Sequence, residues 1–237
     1  MLLGWPSIFL IMSLLGLLLL LLVFRDLGET KIIKKNKNTK SSASFINLFW
    51  EAKFLGYSFT LAFSAGTFFS FLGGAPYVAT KVYNLNSVVS GLVMGFPAAG
   101  YFIGNYLSGR YSKFYGIDYM ALRGILLVIF GMFICLVITV FYRDTPYFFF
   151  GLCSFVGLGN GLIIPNASVG ILSVNENLSG TAGGIGNAIM IGTGAILASL
   201  TSYYLENQTS SSYLVFIMLL SGALSYTSLY IFVLRYK

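Results

Sequence analysis

The sequence predicts an all-α integral membrane protein of seven transmembrane helices, arranged as one helix followed by two inverted triplets. Three observations predict it. Seven long apolar stretches, 6–24, 54–78, 88–107, 120–142, 147–172, 181–203 and 213–234, occupy most of the 237 residues. No Lys, Arg, Asp or Glu lies in the middle third of any stretch, and the remaining charges gather on alternate connecting segments. A helix needs roughly 20 apolar residues, rising about 1.5 Å each, to cross a bilayer core. The chain is 57% hydrophobic and 9% charged, against about 25% charged in a soluble domain. That composition excludes an ordinary water-soluble fold.

The first stretch lacks a basic leader and a small-residue cleavage site, and Arg25-Asp26 follows it directly. It therefore reads as a retained helix and not a secretory signal. Residues 25–53 form a basic cytoplasmic linker, with a core from Lys34 to Ser42 too polar to pack. Trp50 sits where an interfacial anchor belongs. Residues 54–237 then supply six spans joined by short turns. Pro76, Pro97 and Pro165 fall within or beside spans, where proline bends a helix. The pairs Gly157/Gly161 and Gly180/Gly184 have the four-residue spacing that lets helix backbones approach closely. Cys135 and Cys153 lie inside spans and read as small buried apolar groups, not as a disulfide or metal site.

Charge placement sets the expected topology. Twelve of the 14 basic residues fall on one side: Arg25, Lys31, Lys34, Lys35, Lys37, Lys40, Lys53, Arg110, Lys113, Arg123, Arg235 and Lys237. Lys81 and Arg143 fall on the other. By the positive-inside rule the N-terminus is expected outside and the C-terminus in the cytosol. The net charge of +7 is thus a topology signal, and the bilayer, not nucleic acid, is the partner. The six later spans divide into triplets, 54–142 and 147–234. Three spans per triplet makes the two opposite in orientation, as in many secondary carriers.

The deep polar side chains are Asn160, Asn166 and Asn187, with Asn105 nearer the cytosolic end. Each needs a partner or a wet cavity, so each is either an interhelical bridge or a candidate substrate-cavity contact. The 16 tyrosines and 22 phenylalanines suit an apolar cavity or interfacial belts. No acidic residue lies mid-membrane to carry a proton, and the chain has no histidine and no phosphate-binding Gly-Lys-Ser/Thr loop. No cofactor, metal or enzymatic activity is expected. A retinal protein would need a lysine deep in the last span, and 213–234 has none. A seven-helix receptor stays open as an alternative.

Four passages carry a family resemblance. Leu27-Gly28-Glu29-Thr30 resembles the Leu-Pro-Glu-Thr that follows the sixth helix of major facilitator superfamily transporters. Phe71-Leu72-Gly73-Gly74-Ala75-Pro76-Tyr77-Val78 resembles their seventh helix and its exit. Leu107-Ser108-Gly109-Arg110-Tyr111-Ser112-Lys113 resembles a degenerate cytoplasmic loop motif, with Gly109 where the motif has aspartate. Gly161-Leu162-Ile163-Ile164-Pro165-Asn166-Ala167, with Gly180-Thr181-Ala182, resembles the tenth and eleventh helices and is the most specific of the four. Together they resemble the C-terminal half of a drug efflux transporter of the bicyclomycin-resistance type (Bcr/CflA).

The resemblance implies that residues 1–24 correspond to the family's helix six and 54–237 to helices seven to twelve. It implies proton/drug antiport by alternating access in a bacterial inner membrane, with a small amphipathic or cationic drug-like substrate. Arg110 and Lys113 become gating-loop candidates, although the missing aspartate removes their charge pairing. About five helices and the proton-coupling residues belong to an N-terminal half outside this sequence. A truncated frame, a split gene, a partial record or an inactive remnant would each account for that.

Overall fold

The computed structural model describes residues 6–26, 47–142, 145–206 and 210–235. The chain divides into two units, 1–40 and 41–237. In the first, α1 (Pro6–Asp26) is one uninterrupted helix of 21 residues. Pro6 occupies its first turn, where a missing N–H costs nothing. Arg25 lies in its last turn, where a cation meets the negative end of the helix dipole. Leu27-Gly28-Glu29-Thr30 and the lysines at 31, 34, 35, 37 and 40 lie outside the described residues.

The second unit is built from α2 (Ala52–Tyr77), α3 (Ser87–Val93), α4 (Phe96–Tyr115), α5 (Ile117–Phe141), α6 (Pro146–Ser173), α7 (Ser179–Leu205) and α8 (Ser212–Leu229). Strands are absent among the described residues. With α3 and α4 counted as one interrupted crossing, and α1 included, seven segments are long and apolar enough to span a membrane. The protein is therefore an all-α integral membrane protein.

Three local departures have physical causes. The apolar stretch 88–107 is not one helix: it breaks at Met94-Gly95, where Pro97 supplies no amide to a continuing ladder. Pro76 disturbs the end of α2 in the same way, and a π-helical turn follows at Val78–Val82. The chain also orders earlier than the apolar pattern suggests, since α2 starts at Ala52 and Leu48 is buried in the core.

Packing shows a two-fold pattern. α6 packs most extensively on α4 and α5, while α2 packs on α7 and α8. α2 also meets α6, and α5 meets α8. Exchanging the triplet α2–α5 with the triplet α6–α8 maps this set of interfaces onto itself, as expected of an internal repeat. Glycine makes the closest approaches possible. A Cβ on Gly161 would lie 2.6 Å from the Tyr101 carbonyl and 2.7 Å from the Asn105 amide. One on Gly73 would lie 2.8 Å from the Ala198 carbonyl. Gly157 and Gly161 thus form packing surface between α6 and α4. Gly180 and Gly184 do not: a Cβ built on either would meet no neighbouring atom within 4 Å among the described residues.

Interhelical hydroxyl bonds reinforce the contacts. Ser221 and Ser225 of α8 donate to the carbonyls of Phe63 and Thr60 at 2.7 and 3.0 Å. Ser202 of α7 donates to the Gly73 carbonyl at 3.0 Å. Tyrosines gather at the helix ends. Tyr142, Tyr147, Tyr203 and Tyr213 stand exposed at one end, and Tyr111, Tyr115, Tyr119 and Tyr230 at the other. This is the aromatic-belt arrangement. Cys135 and Cys153 are both free and buried.

Candidate substrate cavity

α2, α4, α6 and α7 together enclose a cavity of about 390 Å³. Its wall carries Phe68 and Phe69 from α2, Tyr101 from α4, Asn160 and Ile164 from α6, and Met190 from α7. The volume falls in the range of small-molecule sites, roughly 300–1,000 Å³. The lining has no charged side chain. Aromatic rings dominate, and such rings accept flat apolar molecules or the edge of an organic cation.

Asn160 is the amide at this wall, and its environment is defined. It is 1% exposed. Ser64 donates to its Oδ1, and its Nδ2 donates to Thr67 Oγ1 at 3.3 Å. Thr67 in turn donates to the Ser64 carbonyl at 2.6 Å. The three side chains form a polar link between α2 and α6 at the cavity edge. A buried polar group costs free energy unless it is bonded, and this network bonds it.

Asn166 sits on the other side of Pro165. It is 2% exposed, and its Nδ2 donates to Ser108 Oγ at 2.8 Å and to the Leu162 carbonyl at 2.7 Å. It ties α6 to α4 and does not line the cavity that contains Asn160. Asn187 is exposed on α7 and borders a separate recess of about 50 Å³, with Leu61, Ser168 and Gly183. Asn105 donates to the Tyr101 carbonyl one turn earlier at 2.9 Å. The three candidate asparagines therefore occupy three different environments.

The loop candidates are exposed at the end of α4. Arg110 donates to the Tyr106 hydroxyl at 3.3 Å and lies 5.8 Å from the Tyr111 ring centre. Lys113 lies 5.2 Å from the Phe114 ring centre. Gly109, where the motif would carry aspartate, has nothing within 4 Å of a built Cβ. Aromatic rings, not a carboxylate, hold the two cations among the described residues.

Sequence reasoning missed two parts of this arrangement. It did not find Ser64 and Thr67 as partners of Asn160, although a serine and threonine three residues apart on one helix face were a readable signal. It also missed Asp118. That carboxylate lies in the first turn of α5, 9% exposed, and accepts a 2.5 Å hydrogen bond from Tyr57 of α2. The apolar pattern starts only at residue 120, which places Asp118 in a loop, whereas the helix begins at Ile117.

Comparison with known proteins agrees with the architecture. The chain is 29% identical over 205 residues to a bicyclomycin resistance protein homolog of Haemophilus influenzae, covering 84% of this chain and 50% of that protein. It is 27% identical over 111 residues to the uncharacterized MFS-type transporter YdgK of Bacillus subtilis, covering 46% of this chain and 28% of that protein. The chain thus spans half or less of the length of these relatives. The family model described as Major Facilitator Superfamily matches residues 1–199, and the chain belongs to that superfamily of transporters.

Proposed function

We propose that this chain forms the C-terminal part of a multidrug efflux transporter that exchanges protons for drug by alternating access. The observation that carries the reading is the cavity shared by α2, α4, α6 and α7, aromatic and uncharged with one amide at its wall. Similarity to a bicyclomycin resistance protein homolog over 84% of the chain supports it. In this reading the cavity is one half of a central site, and a matching N-terminal part supplies the other half. Small amphipathic or cationic drugs stack on Phe68, Phe69 and Tyr101.

Asn160 is the substrate contact, Asn187 a second contact reached from α7, and Asn166 holds α6 against α4. Arg110 and Lys113 take part in the cytoplasmic gate. All seven acidic residues, Asp26, Glu29, Glu51, Asp118, Asp144, Glu176 and Glu206, lie at or beyond span ends. The proton is therefore carried by the N-terminal part. The protein sits in a bacterial inner membrane with its N-terminus outside and its C-terminus cytoplasmic.

The test is expression in an efflux-deficient bacterium loaded with a fluorescent cationic dye. The 237-residue chain alone gives no energy-dependent expulsion of dye. Co-expression with the first five helices of a bicyclomycin-type relative gives expulsion that collapses with the proton gradient. Efflux from the lone chain, or none from the pair when both parts are inserted and associated, overturns the reading.

A further inference from the structure

We propose that the open faces of α4 and α7 seat a second copy of this chain, forming a parallel two-fold dimer around one shared cavity. The inference rests on membership of the superfamily and not on drug or proton transport. Among the spans of the second unit, these two are the least covered by the chain itself. The crossing that contains α4 buries 22% of its apolar window and α7 buries 11%, against 67% for α2.

The two faces differ in shape. α7 presents Ala188, Gly192, Ala195 and Ser199, all exposed and spaced four, three and four residues apart along one side. Small residues at that spacing let another helix approach closely. A Cβ built on Gly192 meets no neighbouring atom within 4 Å among the described residues. α4 presents large rings instead: Phe102 is 76% exposed and Tyr106 60%. Its inward glycines, Gly100 and Gly104, already lie against the α6 backbone at Ser154 and Leu158. One chain therefore carries both a smooth face and the rings to fill it. Within one copy the two helices flank the cavity, whose wall takes Tyr101 from α4 and Met190 from α7.

Depth matches as well. Ser108 and Asn166 are bonded at 2.8 Å, each seven residues from the end of its helix, so α4 and α6 end level. α7 starts shortly after α6, at Ser179. Tyr106 lies nine residues before the end of α4 and Ala188 nine after the start of α7, each about 14 Å from that level. Phe102 and Gly192 lie thirteen residues from it, each about 20 Å. The two rings thus fall at the levels of two of the smooth positions.

Symmetry selects the occupant. Copies of one chain insert with the same orientation, because each carries the same charge signal. A two-fold axis along the membrane normal, passing the cavity mouth, then sets α4 of each copy against α7 of the other. Such an interface is isologous, with every contact made twice. The two halves of superfamily transporters are themselves parallel repeats about an axis in this direction. The face that this half offers its complement is therefore close to self-complementary. Lipid alone would leave Asn187 in hydrocarbon, exposed beside the smooth face and without a side-chain hydrogen bond among the described residues. The dimer opens it onto the shared cavity instead.

The experiment uses the full chain, purified in detergent, with protein mass read by light scattering. The wild type has twice the 25.9 kDa of one chain. Ala188→Phe with Gly192→Phe fills the exposed smooth face and weakens association at least about ten-fold. Tyr106→Cys in one copy and Ala188→Cys in another, mixed under mild oxidant, give a covalent dimer. Either variant alone gives none, and the native Cys135 and Cys153 are buried. A monomeric wild type, a mass unchanged by the double Phe variant, or a covalent dimer from Ala188→Cys alone overturns the pairing. A wild type that stays monomeric yet captures the first five helices of a bicyclomycin-type relative assigns the face to that part and also overturns the dimer. Mass and crosslink are read without transport, so a failed dimer and a failed transporter are told apart.

Discussion

The Tyr57 hydroxyl donates a 2.5 Å hydrogen bond to Asp118 across 61 residues of sequence, joining the starts of α2 and α5. α6 is the third member of the joint, because a Cβ on Gly170 would lie 2.6 Å from carbon atoms of the Tyr57 ring. Tyr57→Phe keeps the ring against Gly170 and removes only the donor to a buried carboxylate. Its cost is about 1–3 kcal/mol, read as a lower melting temperature in detergent. Gly170→Ala instead pushes the ring away and destabilises at least as much. Wild-type melting in Tyr57→Phe would show that the bond contributes nothing to the joint.

Glycines of the same helix type have different consequences according to what they face. Gly161→Ala drives a methyl group into the backbone of α4 at Tyr101 and Asn105. Overpacking of this kind costs about 1–3 kcal/mol, here against rigid main chain. Gly184→Ala meets open space and gains helix propensity of about 0.8–1.0 kcal/mol. Thermal unfolding of the isolated chain should therefore separate the two variants in opposite directions. Equal effects would mean that the α4–α6 contact is looser than the geometry requires.

Substitution at the asparagines tests which serve packing and which serve the proposed substrate contact. Asn160→Leu removes two interhelical hydrogen bonds, a loss of roughly 1 kcal/mol in a membrane. Asn166→Leu loses its bonds to Ser108 and Leu162 at similar cost. Asn187→Leu, exposed on α7 and without a side-chain hydrogen bond among the described residues, leaves melting unchanged. In the paired transporter, dye efflux should fall with Asn160→Leu and Asn187→Leu, and Asn160→Ser should recover part of it. Full efflux with Leu at both positions would remove them from the substrate path.

Gly109 offers a gain-of-function test. The space around it is open, so Gly109→Asp fits without moving a neighbour. The carboxylate then has Arg110 and Lys113 within reach on the same helix end, in place of their present aromatic partners. Stability should change by less than about 0.5 kcal/mol, as for an ordinary surface substitution. In the paired transporter the variant should alter the pace of dye efflux without altering which dyes are moved. An unchanged rate would assign Arg110 and Lys113 to topology alone.

Much of the fold was legible because the membrane imposes one simple requirement. Backbone groups in lipid must bond within the segment, so apolar length alone locates each helix to within a few residues. Gly157 and Gly161 were readable for a similar reason, since their spacing places both on one helix face. Partners were less legible. Asn160 announced that it needed a bond, but only the packing of α2 on α6 identifies Ser64 and Thr67. Asp118 was hidden because a charge near a span end looks like a boundary. The break at Gly95 was hidden because apolar residues continue on both sides of it. Gly180 and Gly184 show the converse limit: their spacing permits close packing, and the second unit places nothing against them.

Topology gives the last prediction. Arg110, Lys113 and Arg123 flank the α4–α5 turn, while the α5–α6 connection, where Arg143 lies outside the described residues, carries one basic residue against one acidic. The retention of cytoplasmic Lys and Arg sets orientation, so the first turn should be cytosolic and the second external. Alkaline phosphatase inserted after Thr145 should be active, whereas the same enzyme fused after Lys237 should be inactive. Reversing Arg110, Lys113 and Arg123 to glutamate should weaken this bias and yield mixed signals at both positions. Activity at Lys237 in the unaltered chain would invert the orientation, and with it the side assigned to the Arg110–Lys113 gate.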